Sequence, residues 1–430
     1  MKHRIINLFT IVILVIPMCS NICYVSVAAE TSINTEDTDV SIDADEGKVV
    51  ETGAGVGDTL GIESPSALLM ELESGKVLYE KDADTPRRPA SVTKLMTMLL
   101  AFEKIDSGSI SLDDIVTVSE HAASMGGSQV YLESGEQQTV RDILKCMIVS
   151  SANDAAVAMA EYIGGSEPDF VNMMNEKAAG LGMTGTHFEN ACGLEAEGHM
   201  MTARDIAILS RELLINHPSV TDYTTIWMDT ITHHTARGDS EFGLANTNKF
   251  LKKYEGANGL KTGYTSAAGF SMSATAVRNG TVLIAVVMGS DTKDKRYKDA
   301  ATLLDYGFNN CRPYSDEKVL SGDITNGDMF IDGNHIAVEN GTKYLLAVEA
   351  EKPFRTMLLG NNEISDIKKR LEVIKTEAPF EKGETVAKMI YELNGNEIGI
   401  VDIVAAETIE QQKYKNILQK ILRNYINVNK

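Results

Sequence analysis

One stretch of this chain cannot lie on a surface. From Ser91 to Ile105 the residues read as a helix, and Leu95, Met96, Met98, Leu99, Leu100 and Phe102 leave it apolar on nearly every side. A helix of that kind has to be wrapped by other elements, so the chain must build a large core around it. With 430 residues it is long enough for two or three domains. The same helix carries polar chemistry at its start. Ser91 and Lys94 stand three apart and project from one face.

The elements around this helix can be read in order. Order is expected from about Ser64, where Ala67–Glu73 and Val77–Glu80 flank Ser74-Gly75-Lys76 as a β-hairpin. Helices are expected over Val140–Val149 and Asp154–Ile163, with Ser151-Ala152-Asn153 in the connection between them. Two amphipathic helices follow, Pro168–Leu181 and Thr202–Ile215, the second opening on a capping box formed by Thr202 and Asp205. The period then changes to strands at Met228–His233, Asn258–Thr265, Gly269–Val277 and Val282–Met288, and a helix over Arg296–Tyr306 closes the run. Helices covering an antiparallel sheet make an α+β domain. From Pro313 to Ala405 short strands alternate with the turns Gly333-Asn334, Asn340-Gly341 and Asn394-Gly395, which reads as a small β-rich domain.

Three short motifs carry the chemistry: Ser91-Val92-Thr93-Lys94, Ser151-Ala152-Asn153 and Lys261-Thr262-Gly263. A serine hydroxyl is a poor nucleophile until a base removes its proton. Lys94 serves as that base only if it is partly neutral. Burial, the positive end of the helix dipole and a nearby second cation, for which Lys261 is the candidate, all push that way. Ser151 is placed to relay a proton to a leaving amine, and Asn153 to hold a substrate amide. Gly263 lets a substrate backbone lie against its strand, while Lys261 and Thr262 bind a carboxylate. The backbone N–H groups of Ser91 and Tyr264 are candidates for an oxyanion hole. The seven histidines after His3 lie in no Gly-x-Ser-x-Gly setting, which argues against a Ser/His/Asp triad.

These residues resemble the serine D-alanyl-D-alanine carboxypeptidases of low molecular mass, the penicillin-binding protein 5 type. Pro89 to Thr97, Val149 to Ala156 and Gly259 to Thr265 are similar to that family's three motifs, and Asn246-Thr247-Asn248-Lys249 precedes the third as expected. Arg296, eleven residues before Gly307-Phe308, matches the arginine that helps hold the substrate's terminal carboxylate. Tyr264 departs from relatives that carry histidine there. The resemblance implies a β-lactamase/transpeptidase-like domain at 64–312. It also implies a reaction in which Ser91 attacks the carbonyl between two terminal D-alanines of a peptidoglycan pentapeptide and β-lactams acylate the same serine. A β-lactamase would need a Glu-x-x-x-Asn loop to activate the deacylating water. Glu189-Asn190 and Glu195 lie in the right interval without forming one. A transpeptidase or endopeptidase would use the same residues and differ in the shape of its pocket. A non-catalytic penicillin sensor or wall-binding module would be expected to lose a motif residue, and none is missing.

The two ends suggest where such a protein works. Lys2 and Arg4 precede an apolar run from Ile5 to Pro17, and Val27-Ala28-Ala29 offers a cleavage site, so 1–29 reads as a signal peptide. Segment 30–63 holds ten acidic residues against one lysine and reads as a disordered tether. At the other end, 406–430 gains Lys413, Lys415, Lys420, Arg423 and Lys430, with Tyr414, Ile417, Leu418, Ile421, Leu422, Tyr425 and Ile426 at helical spacing. That pattern reads as an amphipathic helix lying on an anionic membrane surface. The expected location is the extracellular face of the bacterial cytoplasmic membrane or the wall. A net charge of −21 argues against nucleic acid as a partner. No metal or other cofactor is expected, because neither His-Glu-x-x-His nor Cys-x-x-Cys occurs. Cys146, Cys192 and Cys311 are too scattered for a disulfide framework.

Overall fold

The computed structural model describes residues 60–413, apart from 327–329, 332–333, 361 and 363, together with Leu418. The expected signal peptide, nearly all of the acidic tether and, Leu418 apart, the terminal helix from 414 onward lie outside the described residues.

The apolar helix is where its composition demands. A 3-10 turn over Ala90–Thr93 runs into α1 (Lys94–Asp106), in which every residue from Lys94 to Phe102 is buried. Burial of each large apolar side chain contributes about 2 kcal/mol. A hairpin of β1 (Ser66–Glu71) and β2 (Val77–Lys81) precedes it. Next come β3 (Ile115–Thr117), the short α2 (Glu120–Ala123) and β4 (Gln137–Thr139). The wrapping is supplied by α3 (Val140–Val149), α4 (Asn153–Gly164), α5 (Glu167–Gly180) and α6 (Ala203–Asn216), which all pack on α1. Side-chain oxygens start three of these helices: Thr139, Ser166 and Thr202 accept from the backbone N–H groups of Asp142, Asp169 and Asp205.

The expected capping box at Thr202 is only half present. Thr202 caps the helix, but the Asp205 carboxylate accepts from Gly185 N at 3.0 Å and Thr186 Oγ1 at 2.7 Å instead of reaching back. An aspartate side chain is one methylene shorter than glutamate, and a neighbouring turn claims it. A short α7 (Val220–Thr224) then leads to an isolated hairpin, β5 (Met228–Thr235) with β6 (Gly238–Ala245). The second of these strands is largely exposed and polar, so no apolar alternation announces it.

The main sheet has the order β2-β1-β9-β8-β7, where β7 is Ala257–Thr265, β8 Gly269–Arg278 and β9 Thr281–Ser290. Its central strand β9 is apolar on both faces. Ile284, Val286 and Met288 join the core around α1, whereas Leu283, Ala285 and Val287 join a second core beneath α8 (Lys293–Asn310). The period of two in β9 thus splits one strand between two cores. β7 is left at an edge, beside the turn that carries Ser91.

The β-rich part begins earlier than the composition suggests. β10 (Cys311–Asp316) pairs with β15 (Phe354–Leu359), so the expected boundary at 312/313 falls inside a strand. A seven-stranded sheet is completed by β11 (Ile324–Asn326), β12 (Phe330–Ile331), β13 (His335–Ala337), β14 (Leu345–Ala350), β16 (Ile367–Val373), β17 (Thr385–Leu393) and β18 (Asn396–Ala405). Residues 406–411 are not helical. Ile409 bridges to Phe380 and Gln411 to Gly341, which keeps this segment in the β-rich domain. Backbone pairing with these neighbours meets its polar groups without a helix.

Candidate active site

The three motifs converge on one cleft between the helices and the edge strand β7. Ser91 sits in the 3-10 turn that starts α1, and Ala90 before it has φ +48. Lys94, one turn on, is fully buried. Its Nζ donates to Ser91 Oγ at 3.2 Å, Asn153 Oδ1 at 2.6 Å and the Cys192 carbonyl at 2.7 Å. Three acceptors match the three N–H bonds of an ammonium. Burial pushes Lys94 down to about 8, with Cys192 and Asp154 opposing that shift.

The second motif lies at the α3–α4 junction. Ser151 has φ +60, a conformation that β-carbon-bearing residues adopt at a cost of roughly 1–3 kcal/mol. Asn153, expected in the connection, is instead the first residue of α4. Its Oδ1 is occupied by Lys94, and its Nδ2 donates to the Gly126 carbonyl at 2.7 Å. The side chain thus holds Lys94 and a loop together, with one N–H bond left for a substrate amide.

From the third motif, Lys261 Nζ donates to Ser151 Oγ at 2.7 Å and to the Thr262 carbonyl at 3.0 Å. Burial pushes Lys261 well below its ordinary value, helped by Lys94 and Arg296. Of the influences expected to lower Lys94, burial is the leading one, and the second cation, Lys261, is not among its main causes. Burial dominates at both amines, and their mutual repulsion is expressed at Lys261. Gly263 lets β7 close on the nucleophile turn, since a Cβ there would stand 2.7 Å from Pro89 O and 3.1 Å from Ser91 N. Tyr264 follows, 54 % exposed, with its ring stacked on Phe270 at 4.2 Å.

Arg296 lies close by but is not displayed to solvent. It is 3 % exposed, and its Nη1 donates to the carbonyls of Ser271 at 3.2 Å and Gly263 at 3.4 Å. Its guanidinium also stacks on Tyr297 at 4.6 Å. These bonds hold its guanidinium against the strand that carries the third motif.

Sequence reasoning missed several residues that build the site. Cys192 supplies a carbonyl, and only the turn signal of Asn190 and Gly193 marks its position: Asn190 Oδ1 accepts from Gly193 N at 2.7 Å and Leu194 N at 3.1 Å. Asp154 stands directly after the second motif, and its carboxylate accepts from Ala155 N at 2.9 Å, Leu132 N at 3.1 Å and Val130 N at 3.2 Å. His199 lies 2.7 Å from Thr93 Oγ1 and accepts from Glu189 N at its Nδ1. No local motif identifies it.

A two-faced antiparallel sheet, a helical half that buries the lysine and an appended β-rich domain place this molecule among the penicillin-binding proteins of transpeptidase-like fold. Residues 54–292 match the peptidase S11 model, described as D-alanyl-D-alanine carboxypeptidase, and residues 324–411 match the C-terminal domain of penicillin-binding protein 5. The chain is 36% identical over 367 residues to D-alanyl-D-alanine carboxypeptidase DacF of Bacillus subtilis, covering 85% of this chain and 91% of that one. Against DacC of Escherichia coli the identity is 31% over 364 residues, with 81% and 86% covered. The crystal structure of penicillin binding protein 5 from Haemophilus influenzae matches with a TM-score of 0.70 at 28% identity, covering 81% of this chain and 98% of that one. The chain belongs to the D-alanyl-D-alanine carboxypeptidase family. It is a serine-type carboxypeptidase that acts on cell-wall peptides.

Proposed function

We propose that Ser91 is the nucleophile of this carboxypeptidase and Lys94 its base. The observation that carries this reading is the set of partners around Lys94 Nζ. A neutral amine has two N–H bonds and one lone pair. If Asn153 Oδ1 and the Cys192 carbonyl take the two N–H bonds, the lone pair points at Ser91 Oγ and can accept its proton. Ser91 Oγ then bonds to the carbonyl carbon of the penultimate D-alanine, and the backbone N–H groups of Ser91 and Tyr264 receive the oxyanion. Collapse breaks the peptide bond. Ser151, held by Lys261, gives its proton to the departing amine and takes in return the one that Lys94 removed from Ser91, and water later hydrolyses the ester. Thr262 and Lys261 hold the terminal carboxylate, with Arg296 supporting them from behind. A β-lactam opens on the same serine and leaves it esterified.

Location belongs to the same proposal. Segment 1–29 exports the chain, and the basic amphipathic segment after Lys413 rests on the outer surface of the cytoplasmic membrane. Among the described residues no helix is long and apolar enough to cross a membrane. The catalytic reading is tested with a fluorescent penicillin and a peptide ending in D-Ala-D-Ala. The wild type should take covalent label and release D-alanine, and Ser91→Ala should do neither. Labelling of Ser91→Ala at the wild-type rate would overturn the assignment.

A further inference from the structure

The cleft has a second charged feature that bond cleavage does not use. Arg88 and Ala90 lead into the nucleophile turn, Leu194 and Glu195 come from the loop after Cys192, and Thr265 ends β7; all line one small pocket beside Ser91. Two opposite charges meet there, with Arg88 Nη1 4.0 Å from Glu195 Oε2 and their side chains 42% and 46% exposed. A pair that long and that exposed holds itself together only weakly. Incoming charges can displace it. The Glu195 carboxylate is nonetheless fixed in place, because the Thr265 hydroxyl and the Ala267 N–H both donate to it. Those bonds hold the carboxyl below its ordinary value, so it stays ionised at neutral pH. Arg88 has no other ion pair among the described residues.

The direction of the substrate decides which part of it reaches this pair, and that direction rests on the functional reading above. With the terminal carboxylate at Lys261 and Thr262 and the reacting carbonyl between Ser91 and Tyr264, the upstream peptide continues past Tyr264 to Thr265. The pocket opens at that point. We propose that Arg88 and Glu195 form a subsite for the side chain immediately upstream of the two D-alanines, and that it selects a side chain ending in both an ammonium and a carboxylate. Such an end exchanges one weak internal pair for two crossed pairs, its ammonium on Glu195 and its carboxylate on the fork of Arg88. A side chain ending in an ammonium alone satisfies Glu195 but meets Arg88 as a like charge. Selection therefore has a repulsive part as well as an attractive one.

Three N-acylated peptides X-D-Ala-D-Ala test this, with X as diaminopimelate, lysine or Nε-acetyl-lysine. The readout is kcat/KM for D-alanine release by the full chain and by Arg88→Gln and Glu195→Gln. The wild type should favour the diaminopimelyl over the lysyl peptide by roughly tenfold, since each exposed pair is worth up to about a factor of five. Arg88→Gln should bring that ratio below about twofold, with the diaminopimelyl rate falling and the lysyl rate rising. Glu195→Gln should slow both charged peptides relative to the acetylated one. Labelling by a fluorescent penicillin reports whether each variant still has a folded, reactive cleft. A ratio unchanged by Arg88→Gln in a protein that still labels would overturn the subsite. Failure of the unsubstituted enzyme to release D-alanine from any of the three would instead overturn the functional reading, and the subsite with it.

Discussion

In the proposed mechanism Lys94, a residue that is ordinarily a solvated cation, is the base. Its neighbours supply acceptors for its protons but no carboxylate at hydrogen-bonding distance, so burial decides the balance. Acylation needs the neutral amine. The rate of penicillin labelling should therefore rise with pH and level off above about 8, which a stopped-flow pH profile would check. Asp154 works against burial by raising the proton affinity of Lys94. Asp154→Asn should move that rise to lower pH by roughly half a unit or more. An unmoved midpoint would show that Asp154 acts only by holding the loop at Val130 and Leu132. His199 gives a stability prediction of definite sign. Burial pushes it from 6.5 down to about 4, with His187 adding to the shift. Between those values the unfolded chain binds a proton that the folded one refuses, so stability falls as pH drops through that window. The loss amounts to about 3 kcal/mol. Urea midpoints at pH 7 and pH 4.5 should differ by more in the wild type than in His199→Gln.

At the level of elements, the site depends on an edge strand pressed against a helix start. Gly263 permits the approach because a side chain there would meet Pro89 O and Ser91 N. Gly263→Ala should push β7 away from Ser91. A displacement of about 1 Å costs on the order of a hundredfold in rate. Thermal unfolding should change little by comparison, since β7 is paired on one side only. A labelling rate within threefold of wild type would mean that the strand and turn are not under this constraint. Most elements were legible in the chain because their periods were clean: α3 matches its expected span, and β8 and β9 are joined at Asn279-Gly280 as expected. The failures have local causes. β6 is polar and exposed, and Asp205 had a better partner than its own helix terminus.

At the scale of the molecule, the two cores and the β-rich domain leave the cleft on one unit and carry the chain onward to Gln411. The domains are in contact where Cys311 of β10 and Met357 of β15 join the core beneath α8, and where Lys76 Nζ donates to the Met357 carbonyl at 3.1 Å. If the basic segment after Lys413 is the membrane contact, truncation after Gln412 should abolish sedimentation with anionic vesicles and leave penicillin labelling intact. Retained sedimentation would place the contact elsewhere.

The sequence by itself determined the chemistry that this protein carries. Ser91, Lys94, Ser151, Asn153, Lys261, Thr262, Gly263 and Tyr264 were all named from motifs whose residue types and local periods are properties of short segments. Only the tertiary structure decided how those groups are tuned. Cys192 and His199 come from outside the three motifs and touch Lys94 and Thr93 through a carbonyl and an imidazole that no spacing rule marks, while Asp154, next to the second motif, reaches away to the loop at Val130 and Leu132. Arg296, named from its position, is buried with its guanidinium against the Gly263 and Ser271 carbonyls, contacts that its position in the chain does not reveal. Burial of Lys94 likewise depends on four helices and a strand closing around one apolar segment. Motifs are local and dielectric environment is not, and for that reason the candidate nucleophile and base could be read from the chain while their tuning could not.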